Sequence, residues 1–291
     1  MKSTKPKAPV MIPVENLVPF DGHPYKVLGD DSMNDLTESI QESGILEPII
    51  VRPLENTDNY EIISGHRRYH AAKKAGITEV PAFIRAVSRD EAAIMLVDSN
   101  LHRERILPSE KAFAYKLKAE ALNHQGKRDI TLGQIVPKSD ENRATAQIGE
   151  QTGESYKTVQ RYIRLTNLIP DLLDMMDENK IAFSIGVELS FLDDQLQYDV
   201  LNACEENDNT PSYAQAVRMH KAHTAGTLDR DGIDAIMSEE KANQRDKVTI
   251  PLDRLKGKIP DSYSVQQQQD YIVKAVDHYH RYLQKQREQS R

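Results

Sequence analysis

Cysteine is nearly absent: Cys204 is the single one in 291 residues. One thiol can form neither an internal disulfide nor a cysteine-based zinc centre. A reducing, cytoplasmic setting is therefore expected. No run of about 18 apolar residues occurs, so no transmembrane helix and no membrane partner are expected. The start, Met1-Lys2-Ser3-Thr4-Lys5-Pro6-Lys7, is basic. No apolar core follows it, so it does not read as a secretory signal. Positive charge is in short supply overall, with a net charge of −7. That excludes a chain coated in cations and leaves a local basic cluster as the route to an acidic partner. Apolar residues make up 38% and charged residues 29%. This balance predicts two or three surface-rich domains rather than one large core.

Strand signals are confined to the first hundred residues. Residues 1–11 read as a flexible tail, and 12–30 as strand fragments and loop broken by Pro13, Pro19, Gly22, Pro24 and Gly29. Ser32 opens a helix with Asp35 as its capping-box partner, Met33, Leu36 and Ile40 as its stripe, and Gly44 as its stop. Ile49-Ile50-Val51 and Tyr60-Glu61-Ile62-Ile63 are strands across a polar turn. A helix from about Arg67 to Ala75 follows, closed by Gly76. Val80–Ile84 is a further strand, and Pro81 suggests an edge or a strand start. Ser88 with Glu91 caps the next helix, through about Val97.

After that the pattern is helical. Pro108-Ser109-Glu110 starts a helix with a stripe of Phe113, Leu117 and Ala121, and 124–142 reads as loop. Residues 144–204 read as helices broken at Gly153, Pro170 and Gly186. Residues 224–247 are polar and highly charged. A closing helix repeats Ile272, Val276, Tyr279 and Leu283. The expected class is α+β: a mixed α/β domain over 12–105, an all-α domain over 106–222, a linker over 223–247 and a small helical segment over 248–291.

The segment 148–165 has the pattern of a helix-turn-helix. Ile148 and Thr152 face the core from its first helix. Gly149 stands where the helices cross, and Gly153 at the turn, where φ > 0 is needed. Val159, Ile163 and Leu165 bury the back of the second helix. Ser155, Tyr156, Lys157, Thr158, Gln160, Arg161 and Arg164 then remain for DNA, in the position that enters a major groove in such motifs. Hydroxyls and amides at the helix start suit phosphates; Gln and Arg suit base edges. Over 143–168, Arg143, Lys157, Arg161 and Arg164 outweigh Glu150 and Glu154, a local +2. An ordinary helical hairpin with a glycine turn is the plain alternative.

A second basic cluster follows a strand. Ser64-Gly65-His66-Arg67-Arg68-Tyr69-His70 opens a helix, where free N–H groups and the dipole favour an anion such as phosphate. A solvated basic helix face is the alternative. His66 and His70 share a face, but no Glu completes a zinc pattern. Further on, Asn100 and Arg103 in Ser99-Asn100-Leu101-His102-Arg103 carry a donor, an acceptor and a cation that can reach phosphate, with a C-cap Asn and a surface Arg as the alternative.

Taken in order, these segments resemble the ParB-like partition family over about residues 12–195. The resemblance rests on Gly65-His66-Arg67-Arg68-Tyr69-His70-Ala71-Ala72, Val80-Pro81, Ser99-Asn100-Leu101-His102-Arg103, Leu107-Pro108-Ser109-Glu110 and the helix-turn-helix. It implies an N-terminal fold shared with sulfiredoxin, specific binding to centromere-like double-stranded DNA, and a homodimer. It also implies a ParA-like Walker ATPase as partner, and in many members CTP bound with Mg²⁺ and hydrolysed, closing the dimer as a clamp. Those members hold phosphates with Gly-Glu-Arg-Arg-x-Arg-Ala and phosphate and metal with Glu-Asn-x-x-Arg. By resemblance Gly65, His66, Arg67, Arg68, Asn100 and Arg103 are the nucleotide residues, and Asn100 the Mg²⁺ residue. This chain departs at His66, His70 and Ser99, where the family has Glu, Arg and Glu. Loss of both carboxylates weakens metal binding and hydrolysis most. The early loop, Asp21-Gly22-His23-Pro24-Tyr25-Lys26, stands where many members have Gln-Pro-Arg, and resembles variants from plasmids and mobile elements. Two rival readings are a ParB-like transcription regulator without a partition role and a nucleotide-hydrolysing enzyme on the same fold. Sulfiredoxin-type repair is disfavoured, because Gly65 precedes His66 and Cys204 lies far away.

Overall fold

The structure is a computed structural model that describes residues 8–101, 103, 106–128, 140–239, 252–260 and 262–289. Residues 1–239 form one compact unit and 240–291 a second.

Five short strands build one mixed sheet: β1 (Val10–Pro13), β2 (Leu17–Val18), β3 (Ile49–Pro53), β4 (Tyr60–Ser64) and β5 (Glu79–Ile84), in the order β1-β5-β3-β4-β2. Helices α1 (Asp31–Ser43) and α2 (His66–Lys74) pack with one face, and α3 (Arg89–Asn100) with the other. Alternation along β4 feeds both layers. Ile62 joins Met33, Ile40, Val51 and Tyr69, while its neighbour Ile63 joins Ala92, Leu96 and Val97.

Pro81 is not on an edge strand, since β5 lies between β1 and β3. The register explains how it is tolerated. Pro81 sits opposite Met11 of β1, but pairing with β3 begins only at Ala82. The proline thus lies where β5 has a neighbour on one side, and a missing N–H costs no ladder bond on the open side.

The α1 cap also differs from the sequence reading. Asp30 is the N-cap and accepts from Met33 N at 3.1 Å; Ser32 donates to Asp30 Oδ1 at 2.9 Å from inside the first turn. A carboxylate outcompetes a hydroxyl as acceptor for the free amides. The Ser88–Glu91 capping box on α3 forms as expected.

The rest of this unit is helical: α4 (Pro108–Arg128), α5 (Asp140–Thr152), α6 (Tyr156–Arg164), α7 (Pro170–Asp177), α8 (Phe183–Leu189), α9 (Asp194–Glu206), α10 (Tyr213–Thr224) and α11 (Arg230–Met237). Helix α4 carries the chain on through 124–128; residues 129–139 of the expected loop lie outside the described residues. Phe113 of the expected α4 stripe is 40% exposed. Leu117 and Ala121 of that stripe pack on α3 together with Ala114, while Tyr115 and Ala119 pack on Ile148 and Val159. A helix buried on two sides has no single stripe to read.

Gly186 does not break the helices but lies inside α8. A Cβ there would come within 2.2 Å of Met176 Sδ, so the glycine permits close crossing of α7 and α8. Within the charged stretch 224–247, α11 places Ile233 and Ile236 in the helical core.

The second unit contains α12 (Leu252–Leu255) and α13 (Val265–Gln289). Along α13, Val276 and Tyr279 are exposed and Leu283 is at the exposed margin. Among the described residues no helix is long and apolar enough to cross a membrane.

Candidate functional site

Helices α5 and α6 are joined through Gly153, which adopts φ +72°. Only glycine takes this conformation without strain. Gly149 is required for a different reason: a Cβ there would lie 2.5 Å from the Glu154 carbonyl oxygen. Glu154 N in turn donates to Gly149 O at 2.9 Å. Ser155 caps α6, its Oγ accepting from Thr158 N at 3.1 Å. Ile148, Val159 and Leu165 are buried, and Thr152 and Ile163 half-buried. Behind the turn, Lys111 of α4 pairs with Glu154, and Tyr115 donates to the same carboxylate at 3.1 Å.

This packing turns one side of α6 to solvent. Ser155, Tyr156, Lys157, Gln160 and Arg161 are exposed, and Thr158 is half-buried. The Arg161 guanidinium lies 4.9 Å from the centre of the Phe183 ring while remaining exposed. Arg164 is not part of this face. Its guanidinium stacks 3.6 Å above the Phe191 ring and donates to Ser190 O at 3.2 Å. Although three residues on and so near the same side of the helix, Arg164 is held off the outer surface by these contacts with the residues that follow α8.

The other basic segment lines a cleft of about 200 Å³. Gly65 precedes α2 in a left-handed conformation, φ +103°, and a Cβ there would lie 2.7 Å from Ile49 Cγ2. The glycine therefore sets how α2 leaves β4 and aims its N-terminus into the cleft. Arg67, Arg68, Asn100 and Arg103 all line it, so the fold brings together two motifs more than thirty residues apart.

The partners of these residues define their freedom. Arg67 donates to Ser32 Oγ at 2.5 Å. Arg68 donates to Glu47 O and to Pro48 O, the latter at 3.1 Å, and lies 3.2 Å from the Glu47 carboxylate. Arg103 is exposed, 5.6 Å from the centre of the Tyr25 ring. The Asn100 amide nitrogen donates to Leu96 O at 2.8 Å and Ser99 Oγ at 3.2 Å.

His66 lines the cleft as a neutral ring. It is buried, its Nε2 accepts from Phe20 N at 3.2 Å, and it lies 3.8 Å from the His23 ring. Burial, then the neighbouring His23, lowers its pKa to about 3. It contributes shape to the cleft rather than charge. His70, the other member of the i,i+4 pair, is exposed. Among the described residues no three His, Cys, Asp or Glu side chains gather in a way that could hold a metal ion.

The sequence reading assigned no site residue to the early loop, yet His23, Tyr25 and Lys26 form one wall of this cleft. Its Pro-Tyr-Lys chemistry gave no local signal, because Tyr25 is buried against α3 and α4 residues far away in sequence.

Comparison with known proteins gives a consistent picture. Residues 2–101 match the ParB N-terminal domain. The chain is 29% identical over 209 residues to the chromosome-partitioning protein Spo0J of Thermus thermophilus, covering 72% of this chain and 70% of that one. It is 29% identical over 200 residues to a nucleoid occlusion protein of Lysinibacillus sphaericus, covering 68% and 60%. Across these and two further curated relatives, from Deinococcus radiodurans and Vibrio cholerae, the chain spans between 52% and 70% of their length. Among solved structures it is similar to the C-terminally truncated chromosome-partitioning protein ParB from Caulobacter crescentus complexed to the centromeric parS site. That match has 21% identity and a TM-score of 0.40, and covers 78% of this chain and 98% of that one.

Proposed function

We propose that this chain, whose residues 2–101 match the ParB N-terminal domain, is a member of the ParB-like family and on that premise a partition protein that reads a DNA site through α6. The observation that carries this reading is the outward row Ser155, Tyr156, Lys157, Gln160 and Arg161 on a helix whose back packs through Val159, Tyr162 and Ile163. Ser155 and the first amides of α6 suit a phosphate, which would fix the register of the helix on the duplex. Gln160 and Arg161 suit base edges, and Lys157 either a base or a phosphate. Partition in the cytoplasm, on the nucleoid, follows from the same premise, as does a ParA-like ATPase partner. A second copy of the chain is the natural cover for the exposed apolar side of α13.

The cleft between α2 and the end of α3 suits the phosphates of a nucleotide. Arg67, Arg68 and Arg103 supply cations, and Gly65 lets the N-terminal amides of α2 approach an anion. The name of one structural relative, the Caulobacter ParB complexed with CTP-gamma-S, makes CTP the first nucleotide to test. The described lining offers Mg²⁺ the amide oxygen of Asn100 and the hydroxyls of Ser64 and Ser99 but no carboxylate. Neutral oxygens without a carboxylate would hold a divalent ion only weakly, so the cations of the cleft carry the phosphate.

A salt titration of duplex binding tests the α6 reading. Replacing a base-reading residue, Arg161→Ala, should weaken binding to a specific site by about 1–3 kcal/mol. Losing a phosphate contact, as in Lys157→Ala, should lower the salt slope by about one. The DNA probe is the site recovered by immunoprecipitation of the protein with its bound DNA. Unchanged binding by the double variant would remove α6 from the interface.

A further inference from the structure

Lys26 lines the cleft, but its ammonium is engaged elsewhere. It donates to Asp174 Oδ1 at 2.8 Å and to Asp177 Oδ2 at 3.1 Å, both on α7. The hydrogen bond to Asp174 holds the lysine above its ordinary pKa range. Asp177 is tied down independently, accepting from Ser109 N at 3.0 Å and from Ser109 Oγ at 2.5 Å. The Lys26 N–H donates to Glu110 Oε1 at 2.8 Å. One wall of the cleft, the first turn of α4 and α7 therefore meet at a single lysine.

The charge balance at that point is uneven. Two carboxylates face one ammonium on the α7 side, while the cleft side presents three arginines. The Asp174 side chain is 64% exposed, so its hold on Lys26 is screened by water and weak, whereas Asp177 is nearly buried and shares its carboxylate with Ser109. A lysine ammonium on a four-carbon stem turns between partners easily. A polyphosphate entering the cleft would bring several negative charges within its reach.

We propose that Lys26 is a further cation of the anion-binding cleft, held away from it by Asp174 of α7 until a phosphate group competes for it. This rests on the reading of the cleft as a phosphate site. Linkage makes the effect reciprocal: a filled cleft loosens the contact between the early loop and α7, and a loosened contact favours the ligand.

Calorimetry on the full chain tests this, with CTP and inorganic tripolyphosphate as separate probes and circular dichroism to confirm folding. Lys26→Gln should bind both probes about tenfold more weakly, the scale of one lost charge-assisted bond. Asp174→Asn should bind them more tightly, by about threefold to fivefold, the low end of coupling between sites. The double variant should behave as Lys26→Gln alone. Opposite signs for the two single variants separate a ligand role from a structural one. If the pair served only to hold the fold, both variants would weaken binding alike, and that outcome overturns the proposal. Arg67→Ala serves as the control for the cleft itself. Lost binding in Arg67→Ala with no change in Lys26→Gln or Asp174→Asn overturns the role of Lys26 and leaves the phosphate site standing. A wild-type chain that binds neither probe overturns both.

Discussion

Arg161 and Arg164 lie three residues apart on α6 and meet opposite surroundings. Arg161 is exposed beside the row of polar side chains, whereas Arg164 lies flat on Phe191 with its Nε buried and without a partner among the described residues. Charge and spacing are the same for both in the sequence, and packing alone separates them. Arg164→Ala should therefore lower thermal stability by about 1–2 kcal/mol, through lost stacking and a lost bond to Ser190 O, while leaving the salt slope of DNA binding unchanged. Thermal melts paired with the titration above distinguish the two arginines. His66 makes a second prediction at this scale. Its folded pKa, about 3, lies below the 6.5 of an unperturbed histidine, which approximates the unfolded chain. The unfolded chain takes up a proton first as pH falls, so this group's contribution is complete above about pH 6.5. It is lost progressively down to about pH 3, at up to about 1.4 kcal/mol per pH unit. His66→Gln, which keeps an acceptor for Phe20 N, should show a shallower decline in urea-measured stability over that range. Equal slopes would show that His66 is protonated in the fold.

Among the elements, the helix-turn-helix was the most legible. Its glycines and apolar positions are local, so Gly149, Gly153 and Val159 could be assigned from spacing alone, whereas the capping role of Ser155 came from the structure. Two glycines with similar neighbourhoods in sequence nonetheless do different work. A Cβ on Gly149 would strike a backbone oxygen at 2.5 Å, and one on Gly186 the sulfur of Met176 at 2.2 Å. The backbone cannot move without opening the turn, whereas a methionine side chain can repack. Gly149→Ala should thus cost about 2–3 kcal/mol and weaken DNA binding, and Gly186→Ala less, on chemical denaturation of each variant. A larger loss at Gly186 would show that Met176 is locked in place. Helix α4 was the least legible element. Its stripe of Phe113, Leu117 and Ala121 follows helical spacing but marks one of two buried sides, and the side with Tyr115 and Ala119 exists only because α5 and α6 pack there.

Across the first unit, α4 is the element on which the sheet-bearing part and the helix-turn-helix converge. Lys118 at its centre is fully buried and bonds Asp98 of α3 and Gln151 of α5. A lysine in the middle of a helix reads as surface, and only the meeting of three helices makes it interior. Removing it as Lys118→Ala leaves a cavity and two partners without their cation. That should cost on the order of 3 kcal/mol in urea denaturation. Lys118→Met should cost less, because it fills the space and lets the half-exposed Asp98 turn to water. Equal losses in the two variants would show that the charge matters and the packing does not.

The central strands, the α3 cap and the two basic segments were determined by the sequence itself, because each depends on neighbours within a few residues: side-chain alternation, a capping box, and glycines at positive φ. The joining of Gly65, Arg67 and Arg68 with Asn100, Arg103 and the early loop in one cleft was decided by tertiary structure. So were the neutral state of His66, the burial of Lys118 and the engagement of Lys26 with α7. Each of these depends on desolvation or charge supplied by residues tens of positions away, and no local pattern encodes the distance at which a chain folds back on itself.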